Sequence, residues 1–246
     1  MFLKVIRAEG IKLRRAPVWI AFCALTALSN AMGTFNYAQN RATLVDGWYS
    51  LWTQVSLFGS FFFLPPLLGV LCAYQWRLEH SENNWNQLMT LPVPVWMLFG
   101  GKLAVAAGFS LLTMLAEGVL FVLAGWLAGL RGALPPELPR WLMMGACAGT
   151  CVCAVQLLLS MCIRSFAAPV GIALLGGVLG LAMSSMGLGL WCPYALMALG
   201  MNSNGRNMLA ARQYGAFFAA CAAFAALAWA LAAWRLKRRD VVTHGQ

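Results

Sequence analysis

Apolar and polar stretches alternate along this chain on a scale of about twenty residues, not of two to four. Mostly apolar runs cover about 17–37, 51–75, 98–125, 141–163, 167–190 and 214–234. A bilayer core about 30 Å thick takes about 20 helical residues to cross, and each run is long enough. The segments between them, 38–50, 76–97, 126–140, the Arg164-Ser165 turn and 191–213, are polar or hold Pro and Gly. Backbone in lipid must satisfy its own hydrogen bonds, which favours helices here. The pattern predicts an all-α integral membrane protein with six transmembrane helices, its membrane domain spanning 17–234.

Residues 1–16 precede the first run and have a shorter period. At 100° per residue, Phe2, Val5, Ile6 and Leu13 fall on one side and Lys4, Arg7, Arg14 and Arg15 on the other. This predicts an amphipathic helix lying in the membrane interface, its basic face among headgroups. Glu9 sits inside the apolar stripe with Lys12 one turn later. A carboxylate there needs a partner, either Lys12 or another chain. The basic start and apolar run resemble a signal peptide, but the run continues to about Tyr37 and more spans follow, so a retained first span is expected.

Charge then gives a direction. The chain is 61% hydrophobic and 10% charged, too little polar surface for a water-facing domain of 246 residues. Its net charge of +10 lies at the edges of the apolar runs, which points to acidic lipid and not to nucleic acid. With the N-terminus inside, the inner segments hold Lys4, Arg7, Lys12, Arg14, Arg15, Arg77, Lys102, Arg164, Arg235, Lys237, Arg238 and Arg239. The outer segments hold Arg41, Arg131, Arg140, Arg206 and Arg212. Both termini are therefore expected in the cytoplasm, residues 235–246 as a short tail.

Within the spans, small residues mark sites of close helix approach. Gly145 and Gly149 form one G-x-x-x-G, Gly176 and Gly180 a second, and Ala216, Ala219, Ala220, Ala223 and Ala226 line the last span. Pro65-Pro66 predicts a bend in the second span. Glu117 is the carboxylate placed inside a span, at about 20 Å depth by the helical rise. It suits either a substrate or proton path or a hydrogen bond to a neighbouring helix. The segment 191–213 holds an apolar piece, Tyr194 to Met201, too short to span, and reads as a re-entrant or interfacial hairpin.

Other chemistry is largely excluded. Seven of the eight cysteines lie in apolar runs, where thiols pack as small hydrophobes, and Cys147, Cys151 and Cys153 have no histidine or second thiol pair to complete a metal site. Gly100-Gly101-Lys102 lacks the earlier glycine and the following Ser/Thr of a phosphate-binding loop. No H-E-x-x-H or G-x-S-x-G occurs.

The loop 76–97 is the longest inner segment. Glu79, Glu82, Asn83, Asn84 and Asn86 stand beside Trp85, Leu88 and Met89, followed by Pro92 and Pro94. Ser81 is placed to cap a short helix over about 82–90 that Pro92 ends. Its mixed polar and apolar surface suits docking to a soluble partner.

Together these features resemble the membrane subunit of a type-2 ABC exporter, and in particular the small permeases of lantibiotic-immunity and bacitracin-resistance transporters. The resemblance rests on the Glu9-x-x-Lys12 start with Arg14 and Arg15, on the Glu82 to Pro92 loop followed by Lys102-Leu103, and on the order of elements. It implies that Glu79, Glu82, Asn83, Trp85, Leu88, Met89 and Pro92 belong to a coupling helix that contacts a separate ATPase subunit. That ATPase would hold ATP and Mg, and this chain no cofactor or metal. It further implies a second permease, as homodimer or related heterodimer, a peptide or lipid-like substrate, and a bacterial cytoplasmic membrane. Two other classes stay open: a non-transporting scaffold or sensor, and a membrane-embedded enzyme using Glu117 as acid or base. The enzyme reading needs a second catalytic group at that depth, and none is evident.

Overall fold

The computed structural model describes residues 1–80, 94–203, 205 and 209–238. Among these, regular structure is helical throughout, and six helices are long and apolar enough to cross a membrane. A first helix, α1 (Phe2–Leu13), precedes α2 (Val18–Gln39), the first span. The second span joins α3 (Trp48–Phe58), a π-helical turn at Gly59–Phe63 and α4 (Leu64–His80). The rest are α5 (Val95–Leu127), α6 (Leu138–Cys162), α7 (Ala167–Ser185), the short α8 (Ala195–Met201) and α9 (Tyr214–Arg238).

Local chemistry sets the boundaries. Pro17 opens α2 and Pro139 lies in the first turn of α6, where a missing N–H costs nothing. Gly129 and Gly187 follow the ends of α5 and α7 at φ of +82° and +74°, a conformation that other residues avoid. The Pro65-Pro66 pair removes two backbone donors, and the helix passes into π pitch over Gly59–Phe63 just before it. The freed Phe61 carbonyl is backed by Gly177 of α7, where a side chain would collide with it.

The core sits along α6, which packs against α4, α5, α8 and α9. Trp52, Phe61, Leu64, Leu67, Leu71, Trp76, Phe121 and Leu157 are fully buried there. Gly145 lies against Met114 and Met201, Gly149 against Ser110, Gly176 against Tyr194, and Gly180 against the Ala195 backbone. Each is a place where an added methyl would displace a neighbour. The alanines of the last span lie otherwise. Ala216, Ala219, Ala223 and Ala226 face outward, while Phe217, Cys221, Ala228 and Ala232 turn to the core.

Helix α8 is buried along its whole length, against α6, α7 and the π turn. Its C-terminus closes on Asn202 in the left-handed conformation, and the Met201 carbonyl accepts a 2.7 Å bond from Trp52 Nε1. The end of this short helix is thus answered by a protein donor at Met201.

Candidate functional site

Helix α1 does not lie free beside the bundle. Phe2 stacks on Trp96 and contacts Gly100, and Val5 sits against Gly101. A methyl built on Gly101 would stand 2.6 Å from Val5 Cγ1, so the two glycines form the groove that admits α1. The apolar stripe therefore packs on α5, and Lys4, Arg7, Arg14 and Arg15 face outward. Trp19 Nε1 donates to the Leu13 carbonyl at 2.8 Å, fastening the elbow into the first span.

Glu9 turns inward from that stripe into a closed ring of four charges. Lys12 Nζ contacts Glu9 Oε1 at 2.7 Å and Glu79 Oε1 at 2.6 Å. Lys102 Nζ contacts Glu9 Oε2 at 2.9 Å and Glu79 Oε1 at 3.0 Å. Lys102 also donates to the Gln75 carbonyl at 3.0 Å, so its three N–H groups have three acceptors. The ammonium lies 5.0 Å from the centroid of the Trp76 ring. The Lys102 side chain is 1% exposed and both glutamates 6%, while Lys12 is 33% exposed, so three charges are buried and the fourth closes a neutral, alternating set at its open side.

Burial alone raises the affinity of Glu79 for a proton, but the Lys102 charge and the bonds from Lys12 and Lys102 outweigh it. Its carboxyl is held below the ordinary value of 4.5. For Lys12 burial pulls downward, while bonds to Glu79 and Glu9 win and hold the ammonium above 10.5. The ring joins three elements: α1, the end of α4 and the start of α5. The last two are the stems on either side of residues 81–93. At the same end, His80 Nε2 lies 3.2 Å from the Ser160 carbonyl and Arg77 stacks on Phe166, tying α4 to α6 and to the turn before α7.

A second buried polar group lies deeper. Glu117 of α5 is fully buried, and its Oε2 accepts a 2.5 Å bond from Asn30 Nδ2 of α2. The enclosed carboxyl reaches a substrate only if these helices part, which gives the enzyme reading no support.

Of the residues singled out from sequence, Glu9, Lys12 and Glu79 come together in the ring, while Arg14 and Arg15 are exposed. Glu82, Asn83, Trp85, Leu88, Met89 and Pro92 lie outside the described residues. Sequence reasoning counted Lys102 with the inner basic residues and in the Lys102-Leu103 pattern but not as a site residue, and it missed Asn30. Lys102 had a signal, a lysine several residues inside an apolar run, which was read as basic flank. Asn30, one polar amide in a long apolar helix, had a weaker one.

Residues 5–180 match the family described as ABC-2 family transporter protein. The chain belongs to that family. The matched region takes in the whole charge ring, Glu117 and the first four spans, and runs into α7. No curated protein matches the chain. Membership makes it a multi-pass membrane subunit of the kind that works with an ABC ATPase.

Proposed function

We propose that this chain is the permease subunit of an ABC exporter, driven by separate ATPase subunits that hold ATP and Mg. Family membership over residues 5–180 carries the reading. In it, the end bearing α1 and the charge ring faces the cytoplasm, in keeping with twelve of the seventeen basic residues falling on that side. The ATPase docks at the α4–α5 connection, through residues about 79–92. This chain performs no chemistry; it pairs with a second permease, a copy or a relative, and substrate passes as the two bundles rock.

The proposed substrate is a lantibiotic or similar antimicrobial peptide cleared from a bacterial cytoplasmic membrane for self-protection. The short connections after α2 and after α5 support a substrate taken from the membrane, since they leave no large domain to capture one from water. The buried α8 fits a re-entrant segment on the outer side.

The test is peptide survival in cells carrying this chain with its ATPase. Protection lost when the ATPase is made hydrolysis-dead supports transport. Protection that survives a dead ATPase contradicts it and favours a scaffold or sensor.

A further inference from the structure

We propose that Glu117 and Asn30 form a subsite inside the membrane for a positively charged N–H donor of the substrate, an alkylammonium or guanidinium group, which the closed bundle keeps covered. The role in export rests on the transporter reading above; the cation site stands on the geometry of the pair. Both N–H groups of the Asn30 amide are engaged, one with Glu117 Oε2 at 2.5 Å and one with the Thr26 carbonyl at 3.2 Å. Both partners are acceptors, which fixes the orientation of the amide. Asn30 Oδ1 and Glu117 Oε1 then accept no hydrogen bond. Glu117 is 0% exposed and Asn30 5%, so bulk solvent does not answer these oxygens.

Buried polar atoms are nearly always paired, and each exception calls for a reason. Here the two exceptions are oxygens that only accept, and one belongs to an acid. The bundle has no cation at hand for them. The ion-paired lysines among the described residues, Lys12 and Lys102, are held in the charge ring. Along α5, Lys102 is fifteen positions from Glu117, about 22 Å by the helical rise. The complementary ligand is therefore a group that only donates and carries positive charge, as ammonium and guanidinium do. An alcohol supplies a donor without charge, and a trimethylammonium supplies charge without a donor.

The contact between α2 and α5 has one firm end. Near the charge ring, Trp19 and Phe22 pack their rings 5.6 and 5.5 Å from that of Phe109. Towards the other end, two hydrogen bonds join these helices and their last turns among the described residues. They are the Asn30–Glu117 bond and a bond from the exposed Arg41 to the Ala128 carbonyl at 2.6 Å. The pair lies nine positions from the end of α2 and ten from the end of α5, about 15 Å along each helix. Separation there uncovers the carboxyl and the amide oxygen together. A ligand that binds only the parted form draws the helices towards it.

The glutamate carboxyl carbon resonances of the full chain in lipid nanodiscs test the site without a partner, with Glu117→Gln assigning the Glu117 signal. The probes are octylammonium, octyltrimethylammonium and octanol. Octylammonium should move the Glu117 signal saturably, at a concentration at least about tenfold lower than either other probe requires. A signal moved equally by all three overturns the site. A signal moved by none overturns it too, and assigns the two oxygens to a proton or a water only.

A second arm uses the complex with its cognate ATPase and reads ATP hydrolysis stimulated by the same probes. Wild type should respond to octylammonium at lower concentration than to octanol, and Glu117→Gln should reduce that preference at least about tenfold. A preference is compared within each variant, so a general loss of stability does not imitate the result. Where Glu117→Gln does not fold, Asn30→Ala removes one acceptor and should reduce the preference by a smaller factor. An unchanged preference in the variant that folds, or hydrolysis that depends on this chain but answers to no probe, overturns the substrate role. Hydrolysis that is the same with and without this chain overturns the transporter reading, while the first arm still decides the cation site.

Discussion

Among the described residues the bundle buries carboxylates in two places, and it answers them differently. At the α1 end, Glu9 and Glu79 each face lysine ammonium groups in a ring where every charge meets its opposite. Inside the membrane-spanning region, Glu117 meets the Asn30 amide, which is neutral. Buried charge is tolerable when paired and further hydrogen bonded, and breaking such a pair costs more than the pair itself contributes. A carboxyl among neutral partners behaves as one hydrogen-bonding group between helices. The ring is thus a fastening that fails when any member is removed, whereas Glu117 forms a local clasp between α2 and α5.

The largest expected effect tests the ring. Lys102→Met leaves two buried carboxylates with one lysine between them and should cost about 3–5 kcal/mol, read as thermal unfolding in nanodiscs. A loss no greater than that of an ordinary core substitution would place the ring outside the core's energetics. Next is the clasp. Asn30→Ala leaves the Glu117 oxygen without its donor and should cost about 1–3 kcal/mol on the same scale.

Acid and base sharpen the contrast further. The Glu79 contribution is present above the unfolded carboxyl value, near 4.5, and lost as pH falls through its lower folded value. The Lys12 contribution is present below 10.5 and lost as pH rises through its higher folded value. Stability should therefore hold between these limits and fall on both sides, with the acid limb flattened in Glu79→Gln. An unaltered acid limb in that variant would separate the ring from pH stability. The smallest effect belongs to Glu117→Gln, which keeps shape and an acceptor for Asn30. It should cost under about 1.5 kcal/mol, close to one ordinary hydrogen bond.

Which features were legible in the sequence follows from their range. Six spans could be read because crossing a bilayer constrains composition over twenty consecutive residues, and the observed helices overlap the predicted runs. The amphipathy of α1 was legible for the same local reason, and so was the anomaly of Glu9 within its apolar stripe. Its partners were only half legible. Lys12 lies three residues away, but Lys102 is 93 residues on, and no periodicity connects positions so distant. The apolar face of α1 meets Gly100 and Gly101, a contact that amphipathy did not reveal, because a helical stripe records polarity and not what lies opposite.

The alanines of the last span show the same limit. Lipid tails accept small and large apolar side chains alike, so an alanine stripe does not reveal which way it faces. In α9 the large Phe217 turns inward and Ala216 outward. The glycines Gly145, Gly149, Gly176 and Gly180 carry a stronger signal, since each lies where another helix leaves no room for a methyl group. The π turn was not legible at all. Pro65-Pro66 announces lost hydrogen bonds, but how the backbone absorbs the loss depends on α7 packing Gly177 against the freed carbonyl.

The most direct test of the account is a double-mutant cycle between Glu9 and Lys102, using Glu9→Gln, Lys102→Met and the pair, with unfolding measured in nanodiscs. A working ring predicts a coupling energy of about 1–3 kcal/mol, the double variant being less damaged than the sum of the two. Additivity within about 0.5 kcal/mol would mean that the two charges do not act on each other, and α1 would no longer be fastened to the α4–α5 stems.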